Sequence, residues 1–262
     1  MKETLKKFLS PSAFRFVKRV GLGIWSIPFG YNLTKLAQIY KADKWGTHYY
    51  TPHYQAHFRK FKFKKIKLLE IGVGGYHYPD RGGNSLRMWK RYFPFGRIFS
   101  LDIYDKSHLE ESRIKIFKGS QIDEAVLADM VAKIGNLDII VDDGSHINAH
   151  VIKTFELLFP SLKLGGIYVV EDTQTAYWPD YGGDSENLNN PATITNFFKS
   201  FVDRINHKEL LKAGYVPSYL DRHITSIQFY HNLIFVYKGL NDEPSSVNAD
   251  DPGSVLVDKM YV

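Results

Sequence analysis

The middle of the chain repeats one pattern, a short buried strand followed by a helix, and this repetition constrains the fold more than any other feature. From about residue 65, apolar runs of strand length alternate with stretches of helical periodicity. Because parallel strands need helical crossovers, the alternation predicts a mostly parallel sheet covered on both faces. The predicted strands are residues 66–72, 98–104, 114–117, 137–142 and 166–171, and the predicted helices are 85–92, 124–134 and 150–162.

The C-terminal part departs from this pattern. After a helical stretch at 193–211, two strand-like runs, 226–230 and 233–237, are separated only by His231 and Asn232. A two-residue connection joins antiparallel strands. Parallel strands followed by one antiparallel hairpin are typical of class I methyltransferases. We therefore expect an α/β, Rossmann-like fold of that class, with a seven-stranded, mostly parallel sheet and a helical N-terminal extension.

Boundaries and composition set further expectations. Residues 1–60 read as a helical extension, with one helix at 1–20 and others within 32–60; 61–240 read as the methyltransferase domain, and 241–262 as a tail. The chain has no cysteine, which excludes disulfides and cysteine-based zinc sites and fits a cytoplasmic location. Much of the basic excess lies near the N-terminus and at 59–65. We expect a solvated helix face there, with peripheral membrane contact as the alternative and no nucleic-acid partner.

Residues at the ends of the first two strands predict a binding site for S-adenosylmethionine (SAM). Gly72 and Gly74 allow a tight turn and a close approach of the backbone to a ligand. Glu70 precedes them, where methyltransferases place a carboxylate facing the cationic methionine end of SAM. Asp102 ends the second strand and can bond both ribose hydroxyls. Two further candidates, each with a helix start as its structural alternative, are Ser85 for the carboxylate and Gln121 for the adenine edge.

Acidic residues end the fourth and fifth strands, where neighbouring strands open into the same crevice. Clustered carboxylates repel one another unless a cation neutralises them, and oxygen ligands favour Mg²⁺, with Mn²⁺ or Ca²⁺ next. The alternative is that these acids cap helices and solvate the sheet rim. We predict that Asp142 braces the turn and that the metal ligands are Asp143, Glu171 and Asp172.

His146 follows three residues after Asp143 and suits a general base for a hydroxyl near that metal. Two adjacent hydroxyls could chelate the ion, which points to a diol such as a sugar. A second hypothesis uses His146, His150 and Asp143 as the 2-His-1-carboxylate set of a non-haem Fe(II) oxygenase, but leaves the acidic pair at 171–172 without a role. A hydrogen-bonded structural histidine is the plainer interpretation of His150.

Several longer motifs then point to one family. They are residues 43–54 (Asp-Lys-Trp-Gly-Thr-His-Tyr-Tyr-Thr-Pro-His-Tyr), 83–89, 101–106, 142–146 (Asp-Asp-Gly-Ser-His), 170–173 and 177–183. From about residue 36 to 183 the chain resembles the metal-dependent sugar O-methyltransferases of the macrolide (mycinamicin) type and related bacterial polysaccharide and rhamnosyl O-methyltransferases. On this resemblance we expect the chain to lack the long N-terminal domain of the macrolide enzymes, so their oligomer contacts and acceptor choice are not carried over.

The resemblance implies SAM and Mg²⁺ as cofactors and methyl transfer to a hydroxyl of a sugar or polysaccharide. It implies that Asp143, Glu171 and Asp172 hold the metal and that His146 is the base. It also implies that residues 43–54 cover the SAM pocket, with Tyr50 and Tyr54 as candidates whose alternative is packing. We further expect a homo-oligomer, and a loop at 177–190 that lines or closes the acceptor pocket.

Overall fold

The computed structural model describes residues 10–78, 80–210 and 212–245. The α-helices in these ranges are α1 (Pro11–Trp25), α2 (Leu33–Tyr40), α3 (Thr51–Phe58), α4 (Asn84–Tyr92), α5 (Glu124–Ile134), α6 (Asn148–Leu158), α7 (Ile194–Lys199), α8 (Phe201–Ile205) and α9 (Tyr219–His223). The strands are β1 (Lys67–Ile71), β2 (Arg97–Asp102), β3 (Ile114–Lys118), β4 (Leu137–Asp142), β5 (Leu162–Glu171), β6 (Ile224–Tyr230) and β7 (Leu233–Lys238).

The strands form one seven-stranded sheet in the order β3-β2-β1-β4-β5-β7-β6. β1 pairs with β2, β2 with β3 and β4 with β5 in parallel, whereas β7 is antiparallel to both β5 and β6. The two-residue hairpin places Tyr230 opposite Leu233, and Asn232 adopts a left-handed conformation with φ of 59°. This arrangement confirms the predicted mostly parallel sheet with a C-terminal antiparallel hairpin.

The chain divides into two compact units, Met1–Ile134 and Gly135–Val262. In the first unit, aromatic side chains of α3 and α4 form the packing core. The Tyr54 ring lies 5.0 Å from the rings of both Phe58 and Trp89, and the Phe58 and Phe93 rings are 6.0 Å apart. Edge-to-face and tilted ring contacts of this kind add to the stabilisation from buried apolar area.

In the second unit, Phe155 of α6 packs between the sheet and the helices that follow it. Its ring lies 4.9 Å from Tyr168 of β5 and 5.1 Å from Phe198 of α7. Lys238 is also buried here and donates to the carbonyls of Phe159 and Pro160 at 3.0 and 2.8 Å. Burial lowers the pKa of Lys238 to about 8, because the charged form loses hydration.

Several boundaries differ from the predictions. β5 begins at Leu162 rather than at 166, α6 spans 148–158 rather than 150–162, and the helix predicted at 193–211 is broken at Ser200 into α7 and α8. α1 continues beyond residue 20 to Trp25. The first nine residues of the helix predicted at 1–20, Leu211, and 246–262 of the predicted tail lie outside the described residues. No described helix is both long enough and apolar enough to cross a membrane.

Candidate functional site

The turn after β1 depends on glycine at several positions. Gly72 and Gly74 have φ values of 93° and 76°, a region that side chains with a Cβ rarely adopt. Gly82, from the loop before α4, has φ of 108°, and a Cβ there would lie 2.3 Å from the Gly74 carbonyl oxygen. The Gly83 N–H donates to the Val73 carbonyl at 2.7 Å. The two glycine-rich loops therefore pack backbone against backbone.

Asp102, at the end of β2, is held by the backbone on both carboxylate oxygens. Val73 N–H donates to Oδ2 at 2.9 Å, and Tyr104 N–H donates to Oδ1 at 2.9 Å. Since a carboxylate offers about four lone-pair sites, each oxygen can still accept another hydrogen bond. The half-buried Asp102 is thus fixed beside the glycine turn with acceptor capacity for two hydroxyls.

Glu70, predicted to face the ligand, is fully buried in the structure. Its Oε1 lies 3.2 Å from Lys44 Nζ, and its Oε2 accepts from Trp89 Nε1 at 3.0 Å. Lys44 is also fully buried. The pair attaches the segment at 43–54 to β1 in the interior, so Glu70 contributes to this region through Lys44 and Trp89.

The other residues predicted to bind SAM differ in their burial and in their place in the secondary structure. Tyr50 and Tyr54 are buried; the Tyr50 ring stacks on His48 at 4.8 Å, and Tyr54 belongs to the aromatic core. Gln121 is buried in the turn after β3. α4 begins at Asn84 with Gly83 as its N-cap, so Ser85 lies one residue inside the helix rather than at its cap.

Lys106 is a structural residue that the sequence reasoning missed. Its fully buried ammonium donates to the Tyr78 and Arg81 carbonyls at 2.6 and 3.2 Å, which ties down the loop between β1 and α4. Lys44 was missed in the same way. Both lysines fall inside the motifs at 43–54 and 101–106, but a lysine in sequence gives no sign that it is buried.

In the second unit, the loops after β4 and β5 bring Asp143, His146 and Asp172 together. One ligand atom from each lies within 4.8 Å of the other two. His146 Nε2 is 4.0 Å from Asp143 Oδ1 and 3.7 Å from Asp172 Oδ2. All three side chains are half-buried, so the cluster is accessible from solvent.

Two of these residues have a conformation that non-glycine residues seldom adopt. His146 and Asp172 have φ of 57° and 54°, in the left-handed region. That conformation costs about 1–2 kcal/mol per residue, although Asp and His tolerate it better than most. Strain that persists in two members of one cluster is the pattern found at functional sites.

The spacing of the cluster fits a hard divalent cation. Two ligands on opposite sides of an ion are about 4.2 Å apart for Mg²⁺ and about 4.8 Å apart for Ca²⁺, given their usual bond lengths. One carboxylate oxygen of Asp143 and one of Asp172 lie within 4.8 Å of each other, the upper limit of these separations, and the distances of 4.0 and 3.7 Å to His146 Nε2 are shorter than both values. Glu171 is buried at the end of β5 and is not in the cluster as it stands; Asp142 is buried and accepts from Tyr168 Oη at 3.2 Å.

The oxygenase hypothesis is not favoured. His150 is absent from the cluster found among the described residues, and its Nδ1 shares a hydrogen bond with Ser145 Oγ at 3.0 Å. A 2-His-1-carboxylate site would require His150 to face the metal together with His146 and Asp143. The plainer interpretation, a hydrogen-bonded histidine beside the site, agrees with this geometry.

Asn148, the first residue of α6, is a further contact residue that sequence reasoning missed. Its buried Nδ2 donates to the carbonyls of Thr175 and Tyr181, both at 2.9 Å. Its Oδ1 accepts from Ile194 N–H at 2.6 Å. One side chain therefore ties the loop after Asp172 to the helix that follows His146.

The chain is similar to several known methyltransferases. It is 48% identical to demethylmacrocin O-methyltransferase of Streptomyces fradiae over 214 residues, 81% of this chain and 54% of that protein. It is 46% identical to 8-demethyl-8-alpha-L-rhamnosyl tetracenomycin-C 2'-O-methyltransferase of Streptomyces olivaceus over 210 residues, 80% of this chain and 55% of that protein. The chain thus spans about half the length of the curated relatives it matches.

The fold comparison agrees with the sequence comparison. MycE methyltransferase from the mycinamycin biosynthetic pathway, solved in complex with Mg and SAH (S-adenosylhomocysteine), superposes with a TM-score of 0.81 at 46% identity, covering 83% of this chain and 57% of that one. No family model matches the chain. With this similarity over four fifths of its length and the same sheet, the chain has the class I methyltransferase fold and is a homologue of the macrolide and tetracenomycin sugar O-methyltransferases.

Proposed function

We propose that the chain transfers a methyl group from SAM to a hydroxyl of a saccharide, with Mg²⁺ as the required metal. The observation that carries the proposal is the cluster of Asp143, His146 and Asp172. Two carboxylates and one imidazole at ion-binding distance are the groups needed to hold a hard cation and to accept a proton. The relatives named above are O-methyltransferases, and the MycE structure was solved with Mg and SAH.

In the donor half, the two carboxylate oxygens of Asp102 would accept hydrogen bonds from the ribose hydroxyls of SAM. Gly72 and Gly74 let the backbone approach the nucleoside without a side chain in the way. Glu70 would act indirectly, by keeping residues 43–54 in place through Lys44. The remaining proposed donor-pocket residues are Tyr50, Tyr54, Ser85 and Gln121.

In the acceptor half, Asp143, Glu171 and Asp172 would hold Mg²⁺. When bound, the cation supplies Lewis acidity, which lowers the pKa of a nearby alcohol. His146 would accept the hydroxyl proton at Nε2, where two carboxylates lie within 4.0 Å. The loops after β4 and β5 would orient the acceptor hydroxyl, and such orientation contributes to the rate.

Two observations support the proposed acceptor class, the names of the relatives and the composition of the loop at 177–190. The S. olivaceus relative is named for a rhamnosyl 2'-hydroxyl. In this chain Tyr177 and Trp178 are exposed, with 41% and 49% of their surface accessible, and so present aromatic faces on that loop. We propose that the loop lines the acceptor pocket and that the organisation is an extension at 1–60, a catalytic domain at 61–240 and a tail at 241–262.

Metal binding provides the first test, because it does not need the acceptor. Calorimetric titration with Mg²⁺ or Mn²⁺ should show a site that Asp143→Asn and Asp172→Asn each weaken by at least tenfold. The exposed Glu156→Gln, in the same unit but outside the cluster, is the matched control. Unchanged metal affinity in both cluster variants would remove the proposed metal site.

The catalytic assignment is tested with labelled SAM and a panel of rhamnosyl and other glycoside acceptors. Methyl transfer should stop with EDTA and return with Mg²⁺. His146→Ala should retain SAH binding while turnover falls by two to four orders of magnitude, the usual contribution of a general base. Normal turnover in that variant would show that His146 is not the base. Light scattering of the purified chain tests the predicted self-association.

A further inference from the structure

The most exposed of the described side chains of α1 are apolar. Val17, Val20 and Ile24 recur at helical spacing and have 45%, 45% and 64% of their surface exposed, and the following Trp25 has 60% exposed. Surface helices normally turn their polar side to water and bury their apolar side. In α1, by contrast, these apolar side chains are exposed, and contiguous exposed apolar surface marks an interaction site.

Polar contacts anchor the C-terminal end of α1. Ser26, which ends the helix, is fully buried, and its hydroxyl shares a hydrogen bond with Tyr40 Oη at 2.8 Å. The Arg91 guanidinium donates to the Gly23 carbonyl. These contacts hold the end of α1 against the rest of the first unit, with Val20, Ile24 and Trp25 exposed to solvent.

Positive charge is concentrated in the same part of the chain. Residues 1–65 contain 14 Lys and Arg against two acidic residues, a net charge of +12, whereas the whole chain carries +6. The remaining residues therefore carry a net charge of −6. Lys62 links the basic run at 59–65 to the segment after α1, since its ammonium donates to the Gly30 carbonyl at 2.5 Å and lies 4.4 Å from the Tyr31 ring. In that run Lys60, Lys64 and Lys65 are exposed.

We propose that this surface, formed by the outward side of α1 with the basic run at 59–65, binds the surface of a bilayer that contains anionic lipids. The helix would lie in the plane of the interface, with Val20, Ile24 and Trp25 entering the acyl boundary and the lysines meeting lipid phosphates. Tryptophan favours this boundary, since one end of its ring system is polar. Binding would also bring the enzyme close to acceptors held at a membrane. This last statement rests on the proposed function, whereas the membrane contact itself is independent of it.

Charge decides between a bilayer and a second copy of the chain. A symmetric dimer through α1 would place two strongly positive regions against each other, which opposes association. An anionic lipid surface is complementary to the same region. The exposed apolar side chains would be stabilised by entering the hydrocarbon boundary of a bilayer. A nucleic-acid backbone, which binds proteins through its negative charge, would not stabilise them in this way.

The test is co-sedimentation of the full chain with vesicles of phosphatidylcholine containing 30% phosphatidylglycerol and with pure phosphatidylcholine. We expect binding to the anionic vesicles, at least tenfold stronger than to neutral ones, that weakens between 0.1 and 0.5 M NaCl. Val20→Glu/Ile24→Glu should lower the affinity at least tenfold. The matched control, Val202→Glu/Val216→Glu, alters the charge equally at exposed positions of the second unit and should bind as the wild type does.

Any of these results would overturn the proposal: no binding to anionic vesicles, equal loss of affinity in both glutamate variants, or a dimer in light scattering that only the α1 variant dissociates. If the α1 variant does not fold, as judged by circular dichroism, Lys60→Gln/Lys64→Gln/Lys65→Gln replaces it, because these side chains are exposed. Wild-type binding by that triple variant would equally refute an electrostatic contact. Metal and SAH affinity in solution should not change in any of these variants, which separates this test from that of the enzyme activity.

Discussion

The buried ion pair of Lys44 and Glu70 gives the sharpest prediction about stability. Both side chains are fully buried, and Nζ lies 3.2 Å from Oε1. Lys44→Met leaves a carboxylate in the interior with its principal cation removed, and Glu70→Gln leaves an ammonium there. Breaking a buried pair in this way costs about 3–5 kcal/mol of unfolding free energy. At about 2–4 °C per kcal/mol for a chain of this size, each single variant should lower Tm by roughly 6–20 °C.

The double variant Lys44→Met/Glu70→Gln removes both charges and keeps an acceptor for Trp89 Nε1, which now donates to Glu70 Oε2 at 3.0 Å. We expect the loss of unfolding free energy in the double variant to be smaller than the sum of the two single losses by at least about 2 kcal/mol, because no isolated charge remains. The assay is urea unfolding of all four proteins, followed by tryptophan fluorescence and circular dichroism, with equal m-values as the check on two-state behaviour.

The exposed pair Lys133–Asp129 provides the control, with 61% of each side chain accessible. The same cycle with Lys133→Met and Asp129→Asn should show coupling of at most about 1 kcal/mol. Additive losses at Lys44 and Glu70, or single losses below about 1 kcal/mol, would refute the reasoning. SAH binding adds a second readout: similar weakening in both single variants supports an indirect role of Glu70, whereas a loss confined to Glu70→Gln would show direct contact with the donor.

Three other predictions test separate contacts. Asn148→Ala leaves two carbonyls and one N–H without their hydrogen-bond partner. We expect a loss of about 2–4 kcal/mol of unfolding free energy, faster proteolysis within 173–194 and a larger rise in acceptor KM than in SAH Kd. The exposed Asn206→Ala should change none of these. Gly82→Ala should lower the unfolding free energy by more than about 3 kcal/mol and abolish SAH binding, because its Cβ would clash with the Gly74 carbonyl. Gly46→Ala, at a similar φ but in open space, should lower it by only about 1–2 kcal/mol. Equal losses in the two variants would rule out the clash. Burial lowers the pKa of Lys238 in the folded chain to about 8, so between about pH 8 and 10 the unfolded chain binds one more proton than the folded chain. The unfolding free energy should therefore rise with pH in this window. Urea titrations at several pH values should show this rise in the wild type and not in Lys238→Met.

The fold was predictable because its signals are local and periodic. Each β-strand in the parallel part is a short apolar run, and each crossover helix repeats its apolar residues at helical spacing. The two residues between β6 and β7 allow only a hairpin. Helix and strand ends were less predictable, since the break at Ser200 and the early start of β5 depend on packing by residues far along the chain.

The site was predictable only as a set of candidates. The sequence places Asp143 and Asp172 just after neighbouring predicted strands, and this sufficed to expect them near each other. It does not show that left-handed turns at His146 and Asp172 bring the imidazole between the two carboxylates. The sequence also could not show that Glu70 is enclosed, because its partner Lys44 is 26 residues away and comes from a different element.

The sequence by itself therefore determined the order of the elements, the class of sheet and the acidic strand ends that suit a metal. The tertiary structure alone decided which polar side chains are buried together, namely Lys44 with Glu70 and Asn148 with the loop before Ile194. It also left Val20, Ile24 and Trp25 of α1 exposed. The physical reason is that hydrophobic periodicity is written along the chain, whereas the partner of a buried charge or amide is fixed only when distant segments pack.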